Sequence, residues 1–476
     1  MNHLNPAPLV LENRTFDEIE VGESARLTRT LTKDDIELFA VLSGDVNPAH
    51  LDEAYARETP FHKVIAHGMW GGTLISNVLG TKLPGPGTIY LSQQLKFLRP
   101  VGLGDVITVT VQAVEKRADK HIVVFDCTCT NAEGKPVITG VAEVMAPTEK
   151  VRREVPPLPE VRLKRHARFD RLLEVCKDRP AVRTAVVYPC DDTSLIGAVE
   201  AAEAGLLQPI LIGPASAIQR VAQANQLDIS KLELIDVSTP SLAAERGVAL
   251  VRSGDAAALM KGSLHTDELL HAAMHREHGL RTGRRVSHAY VMDVPDYPRP
   301  LIITDAAINI LPTLDEKRDI VQNAIDLAHV LSIDAPRVAI LSAVETVSSK
   351  LSSTLDAAAL CKMADRGQIK GGVLDGPLAF DNAVSLAAAH TKHIESPVAG
   401  QADVLVVPNL EAGNMLAKQL TFLANADAAG IVLGARAPII LTSRADDERT
   451  RIASAAIAVL LATSPTWAAA QGHAGD

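Results

Sequence analysis

Asp45 and His50 stand five residues apart in Ser43-Gly-Asp-Val-Asn-Pro-Ala-His-Leu-Asp52, a carboxylate and an imidazole with an Asn-Pro pair between them. Proline fixes its own φ and pushes the residue before it out of the helical region, so the chain turns at Asn47-Pro48. That turn can bring Asp45 and His50 round to face one point. An acid and a base aimed at one atom can move a proton to or from a substrate or a water. The same residue types also build plain polar turns, so the pair needs support from its surroundings. Support comes from Ile65-Ala-His-Gly-Met-Trp70, which opens a helix expected over about 68–82. First-turn amides have no partner inside a helix, and a glycine at 68 lets a ligand oxygen approach them closely. The result is an oxyanion hole opposite the acid–base pair, suited to a thioester enolate and the addition or loss of water.

Three other stretches have the character of anion sites. Lys261-Gly-Ser-Leu-His-Thr266 follows an apolar strand and precedes a helix, where amides and a lysine can hold phosphate. Thr304-Asp-Ala-Ala-Ile-Asn309 also follows a strand. Leu441-Thr-Ser-Arg-Ala-Asp446 brings a hydroxyl, a guanidinium and a carboxylate to the end of a strand, where open α/β sheets bind ligands. His271, His275 and His278, at i, i+4 and i+7, would share one helical face. The neighbouring position holds Ala272 rather than a glutamate, so a solvated helix is expected instead of a metal site.

The elements that carry these groups have two different rhythms. From about Thr15 to Pro147, Ile107, Val109 and Val111 alternate with polar residues, as do Val123, Phe125, Cys127 and Cys129, and Asn131–Lys135 closes a hairpin. Such period-two strands are antiparallel with one buried face. Lys33–Leu42 reads as a short helix capped by Thr32 with Asp35 three residues on. A sheet of alternating strands beside one long helix, 68–82, implies a curved sheet wrapped around that helix. After Pro156, Pro157 and Pro159 the strands become unbroken apolar runs, among them Ala185–Tyr188, Leu301–Ile303, Val338–Leu341 and Val404–Val407. Runs of this kind belong to parallel strands covered on both faces. Helical stripes separate them; one is Ile320, Ala324, Leu327, Ala328 and Leu331 behind Asp315 and Glu316.

Bulk composition narrows the classes. With 476 residues, 47% hydrophobic and 22% charged, the chain has matter for two or more cores. A net charge of −10 argues against a nucleic-acid-binding surface. The basic residues at 152–168 read as a solvated linker. Five cysteines without a C-x-x-C support neither a disulfide framework nor a zinc knot, and reduced thiols fit the cytoplasm. The N-terminus lacks a signal-peptide pattern and the apolar run 452–462 is too short to span a bilayer, so no membrane partner is expected.

Ser43–Asp52, Ala66-His-Gly-Met69 and Gly87-Thr-Ile-Tyr-Leu-Ser-Gln-Gln-Leu-Lys-Phe97 closely resemble the MaoC-like hydratases, (R)-specific enoyl-CoA hydratases of the hot-dog fold, over residues 15–147. The resemblance implies that Asp45 and His50 orient and deprotonate water, that Asn47 helps hold the loop, and that the Gly68 amide binds the thioester oxygen. Met260-Lys-Gly262, Asp305–Asn309, Asp375-Gly-Pro-Leu-Ala-Phe-Asp-Asn-Ala383, Ser396–Ala402, Asn409-Leu-Glu-Ala-Gly-Asn414 and Ala437–Asp446 resemble the phosphate acetyl/butyryltransferase family over about 165–465. That likeness implies reversible acyl transfer between CoA and phosphate by direct attack. Arg444 would bind the phosphate and Ser443 the CoA thiol, while Lys261, Asp305, Asn309, Asn414 and Asp446 would bind substrate. The wording of Ala339–Glu345 and Thr442–Asp446 leans to the butyryl branch, and the base remains open between Asp446 and Asp447.

The expected architecture is thus an α+β hot-dog domain over 1–150, a Pro/Arg-rich linker over 151–164, and an α/β phosphotransacylase domain of two subdomains with mostly parallel sheets over 165–476. CoA thioesters and phosphate are substrates, and no cofactor or metal is held permanently. By analogy a homo-oligomer is expected. The alternative is an active phosphate acyltransferase whose first domain only binds acyl-CoA or assembles protomers.

Overall fold

The computed structural model describes residues 10–156, 158, 159, 161, 163, 167–441 and 447–467. Two compact units divide the chain, Met1–Leu163 and Lys164–Asp476.

In the first unit the chain forms β1 (Val10–Glu12), β2 (Ser24–Thr30), α1 (Lys33–Ser43), α2 (Pro48–Leu51), α3 (Glu53–Glu58), α4 (Gly68–Thr81), β3 (Ile89–Phe97), β4 (Val106–Arg117), β5 (Ile122–Thr130), β6 (Pro136–Met145) and β7 (Arg152–Glu154). The strands β2-β4-β5-β6-β3 make one antiparallel sheet in that order. Alternation does here what the period predicts: Ile107, Val109, Val111, Val123, Phe125, Cys127 and Cys129 all face inward and are buried. Trp70, Leu74, Ile75, Val78 and Leu79 of α4 pack against that face in the same core. Each fully buried aliphatic side chain contributes about 1.5–3 kcal/mol, so α4 and the inward face of the sheet stabilise this unit together. Cys127 and Cys129 are core residues, and burial pushes both thiols up to about 12, which keeps them protonated. The segment Arg152–Glu154, inside the stretch read as linker, pairs antiparallel with Val10–Glu12.

The second unit is built on β8 (Val182–Val187), β9 (Leu207–Gly213), β10 (Glu233–Asp236), β11 (Ala258–Lys261), β12 (Ser287–Asp293), β13 (Leu301–Thr304), β14 (Arg337–Leu341), β15 (Val373–Leu378), β16 (Val404–Val406), β17 (Asp427–Leu433) and β18 (Ile439–Ile440). They form a single sheet ordered β10-β9-β8-β11-β18-β17-β12-β13-β16-β14-β15. Its two flanks, β10-β9-β8-β11-β18 and β13-β16-β14-β15, are parallel throughout. Between them the pairs β18–β17, β17–β12 and β12–β13 are antiparallel. Each flank has the character expected of a subdomain, and the sheet runs unbroken through both. Three antiparallel steps reverse direction three times, so the two flanks point opposite ways. The inner strands are buried on both faces, as their continuous apolar runs require, while the edge strands β10 and β15 are partly exposed. The helix Leu314–Val330 opens with a capping box from Thr313 and Glu316 and buries Ile320, Ala324, Leu327 and Ala328.

Candidate active sites

In the first unit the opening motif folds into a tight, internally bonded loop. The helix α1 ends at Gly44 in the left-handed conformation, and Ser43 Oγ accepts from the amide of Asp45 at 3.2 Å. One oxygen of the Asp45 carboxylate accepts from the amide of Asn47 at 3.2 Å. Asn47 caps α2 by accepting from the amide of Ala49 at 3.1 Å, with Pro48 at the first helical position where it needs no amide. His50 then sits in the single turn of α2 and its Nδ1 lies 2.9 Å from the carbonyl of Ile65. A carbonyl only accepts, so Nδ1 carries the proton and Nε2 keeps its lone pair free to act as a base.

The second half of the site arrives with α4. Gly68 is the first residue of the helix and lines the cavity beside His50. A side chain at 68 would stand 3.1 Å from the Phe97 ring, so glycine keeps this approach to the amide open. His67, the residue before it, was not assigned a role from sequence, although it stands in the Ala66–Met69 motif. It is buried, its Nε2 donates to the main-chain carbonyl of Asp45 at 3.0 Å, and its ring lies on that of His50 with centroids 4.0 Å apart. The contact spans 22 residues, which is why spacing alone did not reveal it.

Asp45, His50 and His67 each place a potential ligand atom within 4.8 Å of the others. The two rings are tilted by 37°, and each holds one nitrogen on a main-chain carbonyl. The cavity at this site measures about 310 Å³, with Phe61, Phe97 and Arg99 at its exposed rim and Trp70, Ile107 and Val137 among its buried lining.

In the second unit, Ser443, Arg444 and Asp446 lie outside the described residues. Lys261 ends β11 half-buried, with its amine 3.2 Å from the carbonyl of Gly262. Gly262 packs so tightly on β8 that a Cβ would stand 2.3 Å from the carbonyl of Val187. Asp305 and Asn309, expected to meet substrate, are buried and bonded to each other. The Asp305 carboxylate accepts from the amides of Ala307 and Ile308 at 2.9 Å and from Nδ2 of Asn309 at 2.5 Å. Asn309 also donates to Val286 at 2.8 Å and accepts from Arg285 at 2.7 Å. With both residues 3% exposed, they brace the turn after β13. Asn414 ties the helix Leu410–Leu423 to the same turn, donating to Ala306 at 3.2 Å.

The sheet register separates the stretches that sequence had grouped. Thr304, Ala289, Ile431, Ile440 and Met260 lie in one row across the sheet. From that row Asp305 leaves in one direction, and Lys261 and Leu441 leave in the other, because the flanks oppose each other. Lys261 and the strand end at Leu441 therefore share an edge that Asp305 does not. The three histidines separate too: the helix Thr266–Ala273 stops before His275, so only His271 is helical, and His275 and His278 stack on each other at 5.3 Å.

One histidine escaped sequence reasoning altogether. His288 in β12 is fully buried, and neither ring nitrogen has a hydrogen-bond partner. Its ring meets Tyr290 edge-on at 4.5 Å. Burial pulls its pKa down to about 4, partly opposed by the charge of Asp305.

Residues 241–459 match the family described as phosphate acetyl/butaryl transferase, and residues 17–133 match the MaoC like domain. The chain is 60% identical over 296 residues to the phosphate acetyltransferase of Rhizobium meliloti, spanning 62% of this chain and 94% of that protein. It is 44% identical over 294 residues to the phosphate butyryltransferase of Clostridium beijerinckii, spanning 62% of this chain and 97% of that protein. A solved branched-chain phosphotransacylase from Enterococcus faecalis is similar at 28% identity and a TM-score of 0.53, covering 59% of this chain and 99% of that one.

Proposed function

From the premise that the chain belongs to the phosphate acetyl/butyryl transferase family and carries a MaoC-like hot-dog domain ahead of it, we propose a bifunctional acyl-CoA enzyme. The second unit transfers an acyl group reversibly between CoA and phosphate. The observation that carries this half is the 60% identity along nearly all of a phosphate acetyltransferase. The matched relatives include acetyl- and butyryltransferases, so the acyl group lies between acetyl and butyryl. In this reading Arg444 holds the phosphate and Ser443 the CoA thiol, and Lys261 binds substrate from the sheet edge where the strand Ile439–Ile440 ends.

The first unit hydrates a trans-2-enoyl-CoA to the (3R)-hydroxyacyl-CoA. The lone pair on Nε2 of His50, left free by the Nδ1–H bond to Ile65, carries this half. Water held by Asp45 and His50 gives up a proton as its oxygen adds to C3, the Gly68 amide steadies the enolate oxygen, and a proton arrives at C2 on the same face. The protein is expected in the cytoplasm. Ile89, Leu91 and Phe97 are exposed on β3, an edge strand of the sheet, and support pairing of protomers there.

Hydration of crotonyl-CoA, followed as loss of the enoyl absorbance, tests the first half. Asp45→Asn should reduce the rate by more than about a hundredfold; a wild type as inert as Asp45→Asn would leave the first unit a binding or assembly module. Arsenate-dependent loss of acetyl-CoA tests the second half. Arg444→Ala should abolish it, and an unchanged rate would remove Arg444 from the mechanism.

A further inference from the structure

Resting on the hydratase reading of the first unit, we infer that His67 is a positioning residue for that reaction. It ties the loop that carries Asp45 to the helix that begins at Gly68, and its ring backs the ring of His50.

The residues from Gly44 to Asn47 are exposed, and their side-chain bonds are short-range ones, Ser43 Oγ to the amide of Asp45 and the Asp45 carboxylate to the amide of Asn47. The segment 65–67 anchors them to the rest of the unit. Ile65 holds the far end of the motif, through its carbonyl at His50 Nδ1 and through its amide, 3.4 Å from the carbonyl of Ala49. Among the described residues, the 3.0 Å bond from His67 Nε2 is the one that reaches Asp45 from a distant part of the chain. The same ring stands between Phe39, at a centroid distance of 4.9 Å, and His50, at 4.0 Å. One side chain thus touches the main chain of the acid and the face of the base.

Stability does not call for an imidazole at this place. Asp45 is exposed, so water can bond its carbonyl where His67 does not. Nδ1 of His67, by contrast, is buried without a hydrogen-bond partner. An unsatisfied buried nitrogen is a cost that a phenyl ring of similar shape avoids, so the use of the imidazole lies in its other nitrogen. His67 is also the N-cap of α4, where Ser, Thr, Asp or Asn would turn an oxygen onto the first-turn amides. Its side chain turns to Asp45 instead, and no side chain caps the helix. The helix start stays open to a ligand oxygen at Gly68 while the acid–base loop is drawn toward it.

The test uses the full-length protein, with kcat and KM for crotonyl-CoA hydration and the thermal midpoint of the first unit. His67→Phe keeps a ring against His50 and loses the donor. Its kcat should fall by about a hundredfold, the effect of a misplacement of about 1 Å, with KM within about threefold of wild type and the midpoint not lowered. His67→Gln, whose side-chain amide can donate to the Asp45 carbonyl in place of Nε2, should regain at least about tenfold of that loss. A His67→Phe protein that hydrates with wild-type kcat overturns the inference and leaves the hydratase reading intact. A loss that His67→Gln does not regain overturns it as well, since it marks a packing role. A wild type that does not hydrate crotonyl-CoA removes the hydratase reading itself, and the inference with it.

Discussion

A histidine ring has two nitrogens, and in this protein the fate of one decides the use of the other. His50 and His67 each spend one on a main-chain carbonyl, Ile65 and Asp45 respectively, which fixes tautomer and orientation without a second carboxylate. His288 spends neither. An imidazole in that position must stay neutral, and its pKa of about 4 has a consequence for acid stability. In the unfolded chain the same group titrates near 6.5, so between about 6.5 and 4 the unfolded state binds more protons than the native state. Stability from this residue is whole above pH 6.5 and is lost as pH falls toward 4, by up to about 3 kcal/mol at ~1.36 kcal/mol per unit. Urea titrations of the wild type and His288→Leu at pH 7.5 and 4.5 should show a smaller acid loss in the variant; equal losses would place the acid sensitivity elsewhere.

At the scale of elements, the sequence was most legible where one face of a strand meets solvent. The alternation through Ile107–Val111 and Val123–Cys129 predicted inward faces that the sheet bears out, and Thr32 with Asp35 marked the start of α1. The turn at Asn47-Pro48 was legible because proline and asparagine act locally. What stayed hidden depends on long-range pairing. No local pattern tells that β18 reverses against β17, so nothing in Asp305 or Lys261 revealed that they leave the sheet in opposite directions. The types of Asp305 and Asn309 were visible in the sequence, and their internal partners were not. The helical reading of His271–His278 failed because the helix ends at Ala273, with Gly279 folded back on the carbonyls of Ala273 and His275. Close packing of elements also gives a prediction. The carbonyls of Val187 and Tyr188 leave no space for a Cβ at 262, so Gly262→Ala should cost about 3 kcal/mol by overpacking. Gly80→Ala in α4, with open space around it, should instead gain about 0.5–1 kcal/mol. Thermal or urea unfolding of the two variants checks the contrast.

On the scale of the molecule, the two units keep separate cores. The first gathers around Trp70, Ile75 and Phe125, and the second around both faces of its eleven-stranded sheet. Separate cores unfold as separate cooperative steps when little couples them. Calorimetry should resolve two transitions, with Gly262→Ala lowering only one and Gly80→Ala raising only the other. A single transition that moves as a whole in both variants would show strong coupling between the units. The pairing of Val10–Glu12 with Arg152–Glu154 has one more consequence. It brings the first and last strands of the first unit side by side. A unit closed in this way behaves as a cassette: it can be joined to another protein, excised or exchanged at one seam without rerouting its interior. Fusion at that seam needs only a short connecting segment, and this gives a physical reason why two units with separate cores can be carried by one chain.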